Sequence, residues 1–132
     1  MRVIGRTAFV GAVSGFLAVA IGAFGAHAVQ DPHAKELIET GFRYHSLHTM
    51  ASFASLSFRN WGAPIARYAP PLFFVGIALF AGSLYALALG APSWVGALTP
   101  IGGLAFLGGW GVLAVGGLGL ARRPWRTDGE AS

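Results

Sequence analysis

Apolar residues along this chain come in long unbroken blocks, not in the short amphipathic periods of a soluble helix or strand. The first block runs from about Thr7 to Ala28 and contains no charge after Arg6. At about 1.5 Å per residue it can cross a hydrocarbon core of about 30 Å. Two later blocks, Leu72 to Gly90 and Ile101 to Ala121, follow Pro70-Pro71 and Pro100. Proline at a helix N-terminus forfeits no needed hydrogen bond. A further block, Phe42 to Phe58, is apolar enough to insert but carries Arg43, His45 and His48, with Glu39 just before it. The pattern predicts an all-α fold: one domain over 1–125, a four-helix transmembrane bundle with spans at about 7–28, 38–58, 70–90 and 100–121. A polar tail at 126–132 follows, holding Asp128 and Glu130.

The second block could instead lie as an amphipathic helix in the interface, which would leave the chain ends on opposite sides of the membrane. Loop charge decides between the two, because Lys and Arg concentrate on the cytoplasmic side of short loops. Four spans put Arg2, Arg6, Arg59, Arg67, Arg122, Arg123 and Arg126 on one side and leave the loops of the other side only Lys35. Both termini are therefore expected in the cytoplasm. Ala26-His27-Ala28 also has the small-x-small form of a signal-peptidase site, but the block before it exceeds the roughly 7 to 15 apolar residues of a signal peptide. An uncleaved span is the favoured reading.

Small residues recur on single helical faces. In the first span Gly11, Ser14, Gly15, Ala18, Gly22 and Gly25 share a face, opposite Val13, Phe16, Leu17, Ala20 and Phe24. The third span repeats the pattern with Ala78, Gly82, Ala86 and Gly90, and the fourth with Gly102, Ala105, Gly109 and Gly116. Such stripes let helix backbones approach closely, which substitutes for the hydrophobic drive that is missing between helices in lipid. They predict an intramolecular bundle, and the same stripes could also serve a homo-oligomer.

Composition agrees with lipid as the solvent: 55% of residues are hydrophobic and 11% are charged, against about 25% charged in soluble domains. The formal net charge of +4 sits at the ends of apolar blocks, without the basic patch a nucleic-acid partner would need. There is no cysteine, which excludes disulfides and thiolate metal sites.

The one chemically suggestive feature is polar. His27, His33, His45 and His48 all fall between residues 27 and 48. On the second span His45, His48, Ser52 and Ser55 share one face, flanked by Gly41 and Thr49, while Leu47, Met50, Ala54 and Phe58 lie opposite. A polar stripe inside a membrane must face protein or water. His45 and His48, three residues apart, could ligate one metal or relay a proton. No carboxylate shares their stripe and no third ligand is fixed by spacing, so the favoured reading is hydrogen-bonded glue that holds the second helix to the first. Arg43 is expected to snorkel outward beside Tyr44 as an anchor. Neither a GxSxG nor a P-loop occurs, and Asp31, Glu36 and Glu39 are too few for an acid-base pair. No cofactor is called for.

The stretch Gly22 to His27, the later Tyr44-His45-Ser-Leu-His48, and the run from Gly82-Ser-Leu-Tyr85 through Thr99-Pro-Ile-Gly-Gly103 to Gly109-Trp110 closely resemble a known pattern. It is that of the domain-of-unknown-function 423 family, small bacterial inner-membrane proteins of the YgdD and YwdK type. The resemblance implies four membrane spans and no established activity. It marks His27, Tyr44, His48, Ser83, Tyr85, Thr99, Pro100 and Trp110 as positions to test.

Together these readings predict a non-enzymatic inner-membrane protein whose bundle binds membrane lipid, a small hydrophobic molecule or another membrane protein. The runner-up is a small transporter, channel, or proton or metal site using His45 and His48. A membrane enzyme comes third, for want of a nucleophile or acid-base constellation.

Overall fold

The computed structural model describes residues 1–124, so the polar tail at 126–132, with Arg126, Asp128 and Glu130, lies outside the described residues. Four helical rods follow one another: α1 (Arg2–His27), α2 (Pro32–Asn60), α3 (Pro64–Ala88) and α4 (Ser93–Ala121). Among the described residues there is no strand. Each helix is longer than the apolar block that announced it. In α2 the extension has a local cause: Asp31 caps the N-terminus by accepting from the Ala34 amide at 2.8 Å, and Pro32 takes the first helical position. The turns that follow α2 and α3 contain Gly62 at φ 98° and Gly90 at φ 95°, a left-handed conformation that side-chain-bearing residues resist.

α1, α3 and α4 are each long and apolar enough to cross a membrane. α2 is less apolar than that by composition, and its place in the bundle explains why. It packs against α1 on one flank and against α3 and α4 on the other, whereas the main contact of α1 is α2 alone. Its polar residues His45, His48, Thr49, Ser52 and Ser55 are buried, while Leu47 and Met50 are exposed. Polarity hidden inside a bundle lowers mean hydropathy without bringing a polar group to lipid. The four rods thus form a membrane bundle around its least apolar helix.

The core comprises Ala51 of α2, Ala66, Ala69 and Phe73 of α3, and Phe106 and Leu113 of α4. Glycines make room for rings where helices meet. A Cβ on Gly109 would fall 2.7 Å from Phe73 Cδ1, one on Gly22 2.7 Å from Phe42 Cδ2 and one on Gly11 2.8 Å from Phe53 Cζ. A Cβ on Gly25 would lie 3.3 Å from Ile38 Cβ. Gly15 has only the Thr49 methyl nearby, at 3.8 Å. The α1 face opposite the stripe, with Val13, Phe16, Leu17 and Phe24, is exposed as expected.

The third span departs from its predicted stripe. Ala78 and Gly90 are exposed, and a Cβ on Gly82 would meet no neighbouring helix, the nearest atom being the Ile77 carbonyl oxygen at 3.9 Å. A π-turn at Ile77–Ala81 is the reason. It inserts one residue into the helical repeat, so the buried face passes from Ala69, Phe73 and Gly76 to Ala81 and Leu84. The close approach to α4 then falls on Gly76, opposite Phe106, and on Gly102, whose Cβ would lie 2.9 Å from Phe80 Cα.

Candidate functional site

Near the middle of α1 and α2 two histidines organise separate hydrogen-bond networks. His45 places Nε2 3.0 Å from Ser14 Oγ of α1 and Nδ1 3.0 Å from the Tyr85 hydroxyl of α3. Ser14 in turn bonds Thr49 Oγ1 at 2.7 Å. Each of these hydroxyls can donate or accept, so the chain Tyr85–His45–Ser14–Thr49 closes with the imidazole in either neutral tautomer.

His48, one helical turn on, has no such freedom. Its Nδ1 lies 2.6 Å from the Tyr44 carbonyl oxygen, which only accepts, so Nδ1 carries the proton. Its Nε2 then accepts from the Trp110 indole N–H of α4 at 3.1 Å, and an indole nitrogen only donates. The two bonds fix one neutral tautomer. The ring is stacked on Phe106 with centroids 3.5 Å apart and planes 8° from parallel, and Phe73 closes another side at 5.6 Å.

The remaining polar residues complete the stripe. Ser52 and Ser55 are fully buried and donate to the backbone, to His48 O at 2.9 Å and Ser52 O at 2.6 Å. Ser83 of α3 donates to Phe80 O at 2.9 Å and bonds Thr99 of α4 at 2.6 Å. Among the described residues no buried side-chain nitrogen or oxygen lacks a partner. Tyr44 reaches the bundle surface with its ring against Phe80, centroids 4.4 Å apart.

The sequence-predicted residues thus divide. His45, His48, Ser52, Ser83 and Tyr85 belong to the buried networks, whereas His27 is exposed at the last residue of α1. Pro100 is exposed in the first turns of α4. Arg43 is exposed and pairs with Glu39. His45 and His48 turn their nitrogens to four different partners, leaving no free nitrogen to share a metal. Among the described residues no three His, Cys, Asp or Glu side chains converge. Ser14 was grouped above only with the small residues. Its signal was visible, since between Thr7 and His27 it is the one side chain with a hydrogen-bonding group.

A second feature lies at the α1–α2 turn. There a cleft of about 230 Å³ is lined by Gly22 and Gly25 of α1 and by Lys35, Ile38, Glu39 and Phe42 of α2. Its floor is apolar and its rim carries both signs of charge. Lys35 Nζ also reaches the Ala26 carbonyl oxygen at 3.3 Å.

Comparison with known proteins identifies the lineage of these features. The model of the protein family of unknown function DUF423 matches residues 21–103, the stretch that contains both histidines and the cleft. The chain belongs to this family. A "UPF0382 membrane protein" of Haemophilus influenzae is 43% identical over 108 residues, covering 80% of this chain and 87% of that protein. The "UPF0382 inner membrane protein YgdD" of Escherichia coli is 40% identical over 116 residues, covering 85% and 88%. The "UPF0382 membrane protein YwdK" of Bacillus subtilis is 39% identical over 110 residues, covering 80% and 89%. No solved structure matches. This DUF423 member is accordingly a membrane protein of a family with no assigned activity.

Proposed function

We propose that this DUF423 protein is a non-enzymatic inner-membrane protein, both termini in the cytoplasm, whose bundle binds a phospholipid at the α1–α2 cleft. The cleft itself carries the reading. Its glycine floor, walled by Ile38 and Phe42, suits an acyl chain, and Lys35 with Glu39 at the rim complements a head group bearing phosphate and ammonium. The loop charges support the orientation, and the name of the Escherichia coli relative supports the membrane. A metal site on His45 and His48, the competing reading, is disfavoured because all four ring nitrogens are already bonded.

Native mass spectrometry of the protein released from detergent, titrated with phosphatidylethanolamine, tests this reading. One lipid should stay bound at low collision energy. Ala26→Trp, which fills the cleft from an exposed position on its wall, should abolish retention, and Lys35→Gln should weaken it. Equal retention by wild type and Ala26→Trp refutes the site.

A further inference from the structure

The two central histidines differ in what an added proton would do to them. An imidazolium has two N–H donors and no acceptor, so inside a bundle it survives only where both N–H groups meet acceptors. At His48 protonation would set a new Nε2–H against the Trp110 N–H, donor against donor, and destroy the 3.1 Å bond. At His45 both neighbours are hydroxyls, and each offers lone pairs. Nδ1–H then donates to Tyr85, Nε2–H donates to Ser14, and Ser14 donates onward to Thr49, with every bond of the chain retained.

We infer that His45 is a proton-uptake site of the bundle and that His48 is a neutral strut that does not take up a proton. Tyr85 is the route of entry: it is half-buried and three residues from the end of α3 at Ala88. A proton delivered by surface water to the Tyr85 oxygen displaces the hydroxyl's own proton onto His45 Nδ1. Tyr85 remains neutral, His45 already holds its Nε2 proton, and the net change is one proton and one positive charge gained.

Among the described residues, no charged side chain bonds to His45. Ser14 faces it from α1 and Tyr85 from α3, while on α2 itself Thr49 lies one turn away and the His48 ring turns to α4. The nearest ionic side chains along α2, Glu39 and Arg43, are exposed and bonded to each other. The imidazolium would therefore be held by hydroxyl dipoles alone, an arrangement suited to releasing the proton again when pH rises.

The inference does not depend on the lipid cleft, and its test reads the protons themselves. The protein is labelled with 15N-histidine in a His27→Gln, His33→Gln background, reconstituted in lipid nanodiscs, and its imidazole nitrogens are followed by NMR from about pH 8 to about pH 5. One ring, absent from the spectrum of His45→Gln, should move to the doubly protonated pattern on acidification. The other should keep its Nδ1–H pattern throughout. Tyr85→Phe should leave the fold intact and suppress the uptake, because Nδ1–H then has no acceptor. Trp110→Phe leaves His48 Nε2 without an acceptor for a new proton, so the second ring should stay neutral there too, and the change in its Nε2 signal assigns that ring to His48 even where His45→Gln fails to fold. A His45 that stays neutral throughout, or a His48 that titrates in the otherwise native bundle, would each overturn the inference.

Discussion

Trp110 of α4 donates its indole N–H to His48 of α2 across 3.1 Å, and this bond joins the helix that carries the polar stripe to the last helix of the bundle. Trp110→Phe removes the donor and leaves the stacking of His48 on Phe106 in place. The expected loss is that of one interhelical membrane hydrogen bond, about 0.6 kcal/mol and at most about 1.7 kcal/mol. SDS-induced unfolding, followed by helical circular dichroism, should show the transition moving to lower detergent fraction by that amount. No shift, or a loss several times larger, would contradict the bond as described.

The π-turn of α3 separates two glycines that look equivalent in the sequence. A Cβ on Gly102 would lie 2.8 Å from Phe80 Cβ and 2.9 Å from Phe80 Cα, whereas one on Gly82 would meet nothing nearer than 3.9 Å. Gly102→Ala should therefore cost about 1 to 3 kcal/mol, because the backbone of α3 has to move. Gly82→Ala should stay within about 0.5 kcal/mol of wild type. Thermal aggregation in detergent ranks the pair, and equal midpoints would contradict the close approach of α3 and α4.

These two cases mark how far the sequence could be read. Apolar blocks and small-residue stripes located the four helices and the correct faces of α1, α2 and α4, because period and lipid solvation are local properties. Gly11, Gly22, Gly25 and Gly109 stand where rings or branched side chains press against backbone. The stripe through Gly82 failed because a π-turn has no compositional signal, and one inserted residue rotates everything after it. Spacing put His45 and His48 on one face, read as hydrogen-bonded glue with a shared metal or proton site as the runner-up. Which neighbour each ring meets depends on α1, α3 and α4 together, so spacing could not reveal that the two imidazoles serve different networks. Asp31-Pro32, a cap followed by a first-turn proline, was a legible signal for the earlier start of α2.

Ser14 fastens α1 to its main neighbour. It bonds both His45 and Thr49. Ser14→Ala deletes two bonds and should cost about 1 kcal/mol, from about 0.6 kcal/mol for each. The effect should be local: hydrogen exchange in the second half of α1 should accelerate while α3 and α4 keep their protection. Phe16→Leu, at a residue that is 74% exposed on the opposite face, should leave exchange unchanged. Uniform acceleration over all four helices would mean that α1 does not open separately.

The ends of the chain give the most direct reading of topology. Arg2 and Arg6 precede the apolar part of α1, Arg59 and Arg67 flank the α2–α3 turn, and Arg122 and Arg123 follow α4, so every arginine of the described residues except Arg43 lies at one end of the bundle. Arg123 also donates to the Gly62 carbonyl oxygen, which ties the end of α4 to the α2–α3 turn and requires the two to lie at the same level. Alkaline phosphatase fused after Arg122 should be inactive and green fluorescent protein at the same site should fluoresce, as the proposed orientation requires from the rule that Lys- and Arg-rich flanks of short loops are retained in the cytoplasm. Alkaline phosphatase inserted after Gln30 or Pro92 should be active. Opposite reporter results for the two chain ends would remove α2 from the set of spanning helices, and with it the burial of His45 and His48 in a membrane interior.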